Sequence, residues 1–122
     1  MDNTSIFNSV TTLKRFVSGL KESIFRAKIG SFVFLSRYIQ RELSIIETRC
    51  KICSSYIGKN DRAEHFIRII TREIGDIRKV LFQEFDHSDS FREIEEEIYD
   101  SFDQIEVNIE YLEAMFSPEV AQ

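Results

Sequence analysis

The residues of this chain best suited to chemistry are two cysteines near its middle. Cys50 and Cys53 form a Cys-x-x-Cys motif, a spacing used by redox proteins and by some metal sites. In redox proteins the motif lies at a helix N-terminus, where the helix dipole lowers the thiol pKa. Here the surrounding apolar pattern places it near the end of a helix, with both sulfurs on the apolar stripe. The sequence therefore predicts buried core cysteines and no disulfide between them.

The sequence lacks potential metal ligands at a spacing suited to a metal centre. A zinc site would need a second pair of ligands, and His65 and His87 are too far apart to match a zinc-finger pattern. Glu84 and His87 have the Glu-x-x-His spacing of di-iron bundles, but those bundles need the motif twice. The position three residues before His65 is an arginine, so the second motif is missing. We therefore expect neither a metal nor another cofactor.

Motifs for nucleotide binding and nucleophilic catalysis are also missing from the sequence. It contains no nucleophile elbow, no glycine-rich phosphate loop and no Walker pattern. Glu73 and Glu84 fall within the apolar arc of a predicted helix, where we expect each to reach solvent or to pair with an arginine of the N-terminal half. We predict that the protein is not an enzyme.

The composition indicates an all-α protein. A chain of 122 residues is long enough to bury a hydrophobic core without stabilisation by disulfide bonds or metal ions. We therefore assign residues 1–122 to a single helical-bundle domain. It has one proline, four glycines and no tryptophan. A sheet of many strands needs more turn-forming residues than this.

The last third of the chain has the clearest helical pattern. Its apolar residues alternate three- and four-residue steps, as at the a and d positions of a coiled coil. Ser90 and Glu93 have the spacing of a capping box, and Ser117-Pro118 marks the end, so we predict a helix over 90–116. The apolar seam consists of Phe91, Ile94, Ile98, Phe102, Ile105, Ile109, Leu112 and Phe116.

A second helix is predicted over 61–86. It opens at Asn60-Asp61, and Asp61 and Glu64 have capping-box spacing. Its apolar arc covers nearly half of the circumference, so this helix should contact two neighbours. The arc contains Phe66, Ile67, Ile69, Ile70, Ile74, Ile77, Val80, Leu81 and Phe85.

The N-terminal half leaves alternatives open, because one apolar pattern stays nearly in phase from Ile6 to Ile57. A turn at Gly30-Ser31 divides it into helices over 4–29 and 31–58, which gives an up-and-down bundle of four long helices. Without a turn, one fused helix of roughly 80 Å would have to pack on a second copy in a homodimer. A break at Ser18-Gly19 is a third arrangement. We favour the four-helix bundle.

Charge is divided unevenly along the chain. Residues 1–59 contain ten Lys and Arg against four Asp and Glu, whereas residues 60–122 contain six against seventeen. We expect basic and acidic helices to face each other across the bundle. The most apolar run, 29–35, is flanked by basic residues, so we expect no secretory signal, no membrane span and a cytoplasmic location.

Two surface features indicate partners. Outside its apolar seam the last helix is almost entirely negative, and regularly spaced carboxylates can imitate phosphates. Basic residues interleave with aromatic ones in the N-terminal half, but the net charge of −5 disfavours nucleic acid or lipid as the partner. Aromatic residues outside the seams are the types from which interface hot spots are built. The candidate partner-binding residues are Glu93, Glu96, Glu97, Asp100, Asp103, Phe82, Tyr99 and Tyr111.

These features predict a non-catalytic helical module for protein–protein interaction, either an adaptor or regulator or a self-associating subunit. The alternative is a small acidic inhibitor, of the immunity or anti-defence type, that blocks a basic nucleic-acid-binding or toxin partner. A thiol- or metal-dependent activity at Cys50 and Cys53 is the third hypothesis.

Overall fold

A computed structural model describes residues 3–27, 32–84 and 92–118 of the chain, and these form four α-helices and no strand. Each helix begins and ends within two residues of its predicted bounds, since turn and capping residues interrupt the apolar pattern at those places. The helices are α1 (Asn3–Ala27), α2 (Phe32–Ile57), α3 (Asp61–Glu84) and α4 (Arg92–Phe116).

The four helices form an up-and-down bundle. Within the described ranges, the backbones of α1 and α3 each pack closely on both α2 and α4, while the backbones of the diagonal pairs do not approach each other. Neighbouring helices are antiparallel: Lys14 at the middle of α1 pairs with Glu113 near the end of α4, and Lys21, further along α1, pairs with Glu106, earlier in α4. The predicted fold class is therefore confirmed. The interface between α3 and α4 is the most extensive of the four, and that between α2 and α3 is the least.

The long fused helix does not form. Helix α1 ends at Ala27, α2 begins at Phe32, and the two pack antiparallel, with Ser9 beside Cys53. Helix α1 runs unbroken through Gly19, so the alternative break at Ser18-Gly19 is wrong. The predicted turn residues Gly30 and Ser31 lie outside the described residues. Packing α1 on α2 covers the apolar stripe that a fused helix would have left exposed.

The connection between α2 and α3 is closed by local hydrogen bonds. Gly58 follows α2 with a φ of 67°, a left-handed conformation that glycine adopts without strain, and its N–H donates to the carbonyl of Ser54 at 3.1 Å. The side-chain oxygen of Asn60 accepts a hydrogen bond from the N–H of Ala63 at 3.1 Å. Asn60 is therefore the N-cap of α3, which corrects the capping box inferred from the spacing of Asp61 and Glu64.

The interior is one continuous cluster of apolar side chains. Wherever the predicted seam of α4 falls on described side chains, its members are buried. Leu43 and Ala63, which belong to no predicted seam, are buried as well. Phe85, Phe91 and the predicted cap at Ser90 lie outside the described residues. Each fully buried aliphatic side chain contributes about 1.5–3 kcal/mol relative to exposure.

Two polar side chains, Ser36 and Asn108, are buried in this interior. The amide of Asn108 donates to the carbonyl of Gln104, one turn earlier in α4, at 2.7 Å. The hydroxyl of Ser36 accepts a hydrogen bond from the amide of Gln40 at 3.3 Å. Both groups therefore keep a partner within their own helix. None of the four helices, over its described length, has the apolar content needed to cross a membrane.

Candidate interaction surface

The two cysteines lie near the C-terminal end of α2 and face the interior. Their exposed fractions are 3% for Cys50 and 0% for Cys53, and both are free thiols. Burial, reinforced by the neighbouring Cys53, raises the pKa of Cys50 to about 12. Since the thiolate is the reactive form, this thiol is protonated and unreactive near neutral pH. The prediction of buried core cysteines is confirmed.

Cys53 has a partner that the sequence pattern did not indicate. Its sulfur lies 3.1 Å from the hydroxyl oxygen of Ser9 on α1. Burial raises the pKa of Cys53, while the contact with Ser9 and the nearby charge of Arg49 act in the opposite direction. The guanidinium of Arg49 also stacks over the ring of Phe16 on α1, 5.0 Å from its centroid. The cysteines are thus part of the α1–α2 interface.

The residues considered for metal binding are not brought together. His65 is exposed on α3, and the described parts of the chain contain no cluster of three or more His, Cys, Asp or Glu side chains able to hold an ion. His87 and the side chain of Glu84 lie outside the described residues. Glu73 is largely buried, but its cationic neighbour at 3.9 Å is Arg72 on the same helix. Of the two predicted outcomes for Glu73, pairing with an arginine of the N-terminal half is not seen among the described residues, and its side chain keeps partial exposure to solvent.

The solvent-facing side of α4 is acidic. Residues at the seam positions point inward, so the side chains between them on the helical wheel point outward. The first and last carboxylates on this side lie fourteen positions apart, or about 21 Å along the helix. We call this set the acidic face: Glu96, Glu97, Asp100, Asp103 and Glu110, all exposed.

Part of this negative charge is neutralised by α1. Lys21 donates to Asp103 at 3.0 Å and to Glu106 at 2.7 Å, and Lys14 donates to Glu113 at 3.0 Å. These bonds raise the pKa of both lysines. A basic helix therefore faces an acidic one at the α1–α4 interface, as the charge division predicts.

At the interface between α2 and α3 the signs of the paired charges are reversed. Arg78 on α3 pairs with Glu47 on α2 and donates to the hydroxyl of Ser44 at 2.8 Å. The cation here comes from the acidic half of the chain and the anion from the basic half. The charge division therefore predicts one interface and not the other.

Four members of the acidic face, Glu96, Glu97, Asp100 and Glu110, form no ion pair with a described side chain. All four are exposed, and Glu96 and Asp100 lie one helical turn apart. The side chain of Glu93, which the sequence groups with them, lies outside the described ones. Carboxylates without an internal partner can bind an external cation without breaking an existing pair.

The three predicted aromatic residues are placed differently from one another. Tyr111 is 51% exposed beside the acidic face and contacts Phe66 of α3, with ring centroids 5.1 Å apart. Phe82 is 79% exposed, but it follows Arg78 by one turn and so lies on the α2 side of α3, away from α4. Tyr111 therefore belongs to the candidate surface and Phe82 does not.

Tyr99 faces inward, toward α1. It is partly buried against the core and lines a groove of about 310 Å³ with Lys21 and Phe25. Its hydroxyl is buried and has no hydrogen-bond partner among the described residues. Burial, together with the negative charge of Glu95, raises the pKa of Tyr99. Tyr99 is therefore only partly exposed, and its predicted role in binding a partner stays a prediction.

Two features of the surface were missed by the sequence analysis. Val107 is exposed within the acidic face and adds apolar area beside Tyr111. On α3, Arg68, Arg72 and Lys79 are exposed together on the side turned away from the core, and we call them the basic face. Their four- and seven-residue spacing places them on one helix face, and that spacing is visible in the sequence.

No family model, curated protein or solved structure matches this chain. The class of protein is therefore defined by the fold and the surface alone. The described residues form a four-helix bundle with an acidic outer face on α4 and a basic outer face on α3.

Proposed function

We propose that this chain is a non-catalytic protein–protein interaction module whose acidic face binds a positively charged surface of another protein. The observation that supports this function is the exposure of Glu96 and Asp100, without an ion pair to any described side chain, beside the exposed apolar side chains of Val107 and Tyr111. Carboxylates steer a basic partner toward the surface and select it, and the aromatic ring supplies contact area.

Catalysis is the weaker interpretation because the candidate nucleophiles are inaccessible. Cys50 and Cys53 are buried, and burial raises the pKa of both thiols. A nucleophilic cysteine needs partial exposure and a lowered pKa. Both thiols are free, which suits the reducing environment of the cytoplasm, the location that we assign to the protein.

Charge reversal on the acidic face tests this function. Partners captured from the native source are identified first, and their affinity is then measured by calorimetry. The Glu96→Lys, Asp100→Lys variant should bind roughly tenfold more weakly or worse, because attraction becomes repulsion at two positions.

The matched control carries the same change in net charge elsewhere. Glu22 and Asp61 are exposed on α1 and α3, and the Glu22→Lys, Asp61→Lys variant should keep the affinity of the wild type. Equal affinities for the acidic-face and control variants would contradict the proposal. Circular dichroism confirms that both variants remain helical.

The acidic inhibitor remains the second candidate, favoured by the row of carboxylates that extends along about 21 Å of one helix face. Such a row can occupy the groove of a protein that binds nucleic acid. Competition separates the two functions: an inhibitor displaces nucleic acid or toxin substrate from the captured partner, whereas an adaptor or regulator binds without displacing either.

A further inference from the structure

We propose that a second copy of this chain is a partner of the acidic face, and that it docks through the basic face of its α3 to form a symmetric homodimer. This inference rests on the proposed function, since it assigns a partner to the same surface. It is supported by the complementary charge of the two faces and by their register.

The two faces border the same side of the bundle. Helices α3 and α4 are neighbours with the most extensive interface, and each face lies on the side of its helix turned away from the core. Between them lie the ring of Tyr111 and the partly exposed Ile69, which is one turn from Phe66 on α3. This side of the molecule therefore combines a row of cations, a row of carboxylates and an apolar strip.

The heights of the charges along the bundle also match. The contact between Phe66 and Tyr111 places these residues at the same height. Because the helices are antiparallel and rise 1.5 Å per residue, moving along α3 away from Phe66 corresponds to moving back along α4 from Tyr111. Arg68 is then level with about position 109, Arg72 with about position 105, and Lys79 with about position 98.

Each cation thus lies level with carboxylates of the acidic face. Glu110 is about one residue from the height of Arg68, and Asp103 is about two residues from that of Arg72. Lys79 falls between Glu96 and Asp100. Two residues along a helix amount to about 3 Å, which a lysine or arginine side chain readily covers.

A two-fold axis parallel to the helices converts this match into contacts. Such an axis keeps every residue at its own height and places α3 of one copy over α4 of the other. Arg68 of each protomer then faces Glu110 of its partner, and Lys79 faces Glu96 and Asp100. Arg72 faces Asp103, whose carboxylate also keeps its bond to Lys21 of its own protomer. Since the interface is isologous, every charge pair occurs twice. No register slip is needed, and the rings of Tyr111 from both copies are enclosed.

The alternative occupant is an unrelated protein with a basic surface. It would use the acidic face but leave the row of Arg68, Arg72 and Lys79 unexplained. Within the described protomer these cations have few close carboxylate partners. Arg68 and Arg72 have carboxylates only at 3.9 Å, from Glu64 and Glu73, and pairs at such exposed positions are weak. The second copy accounts for both faces at once.

The mass in solution tests the dimer. Sedimentation velocity over a concentration series should give twice the chain mass of 14.4 kDa at about 0.1 M salt and a shift toward the monomer at about 1 M salt, where screening shortens from about 10 Å to 3 Å. A wild-type chain that stays monomeric at low salt across the series overturns the inference.

Charge exchange tests the pairing of faces. The Glu96→Lys, Asp100→Lys variant and the Arg72→Glu, Lys79→Glu variant should each be monomeric, because like charges then meet across the axis. An equimolar mixture of the two should form a heterodimer, since the two lysines introduced into α4 of the first variant then face the glutamate introduced at position 79 of the second, and the opposite half of the interface is unchanged. A heterodimer that fails to form, or either variant remaining dimeric alone, overturns the assignment.

A matched control tests whether non-specific attraction between oppositely charged proteins could explain the heterodimer. Arg15 and Arg37 are exposed on α1 and α2, and the Arg15→Glu, Arg37→Glu variant should dimerise by itself but form no heterodimer with the acidic-face variant. A monomeric wild type whose acidic-face variant loses the captured partner would refute the homodimer and leave the proposed function standing. A dimer whose captured partner is indifferent to charge reversal would refute the binding of another protein instead.

Discussion

The ammonium group of Lys21 on α1 lies 2.7 Å from a carboxylate oxygen of Glu106 and 3.0 Å from one of Asp103, both on α4. A cation from the basic half of the chain thus bridges two anions of the acidic half. Asp103 is therefore already paired, whereas Glu96, Glu97, Asp100 and Glu110 of the acidic face form no ion pair with a described side chain. The carboxylates of α4 thus include both ones that pair with α1 and ones that are exposed to a partner.

Replacement of Lys21 by methionine should lower the free energy of unfolding by less than about 1 kcal/mol per ion pair, since the pairs are partly exposed. Bonds to Glu106 and Asp103 raise the pKa of Lys21 above its ordinary value of 10.5. The stabilisation is therefore fully present below pH 10.5 and is lost as the pH rises through the folded-state pKa.

Urea unfolding of wild type and Lys21→Met over a pH series measures this difference, which should shrink on the alkaline side. Lys51→Met is the control, because Lys51 is exposed and forms no ion pair with another described residue. A difference in the free energy of unfolding between wild type and Lys21→Met that grows above pH 10.5 would contradict this prediction.

Thiol labelling should report unfolding and not a reactive site. Cys50 is 3% exposed with a pKa raised to about 12, so an aromatic disulfide reagent at neutral pH should react only when the bundle opens. The Cys53→Ala variant isolates Cys50 for the measurement. Rapid labelling in the folded state, at a rate typical of a free thiol, would revive the thiol-dependent hypothesis.

Two glycine replacements should have opposite effects on stability. Gly58→Ala should destabilise the protein by about 1–2 kcal/mol, because a φ of 67° is strained for any residue with a Cβ. Gly19 lies inside α1, and a Cβ added there would meet no neighbouring side chain within 4 Å. Gly19→Ala should therefore stabilise the protein by about 0.5–1 kcal/mol. Denaturant midpoints measure both, and a stabilised Gly58→Ala variant would contradict the left-handed cap.

Phenylalanine truncation should separate core from surface. Phe102 is 0% exposed, and Phe102→Ala should cost about 3–5 kcal/mol through lost burial and a new cavity. Phe82 is 79% exposed, and Phe82→Ala should change stability by no more than about 0.5 kcal/mol. Thermal unfolding followed by circular dichroism compares the two. Similar losses for both would show that Phe82 is packed in solution, on another copy or another protein.

Most of the candidate surface could be anticipated because exposure follows from helical periodicity. Glu96 and Asp100 lie on the wheel opposite Ile98 and Phe102, so their direction was predictable from α4 alone. Tyr99 was misplaced because a flanking position on a bundle helix is exposed or covered according to its neighbour, here α1. The basic face was overlooked because the charge balance was taken over half of the chain and not over one face of α3.

The sequence by itself determined the four helices and the side that each one buries, since the spacing of residues such as Ile98, Phe102 and Ile105 is a local property of the helix. Only the tertiary structure decided which helices became neighbours. The apolar phase is the same for a folded-back chain and a fused helix, and burial of the stripe on α2 selects between them. The pairing of Arg78 with Glu47, against the overall charge division, follows from that choice of neighbours.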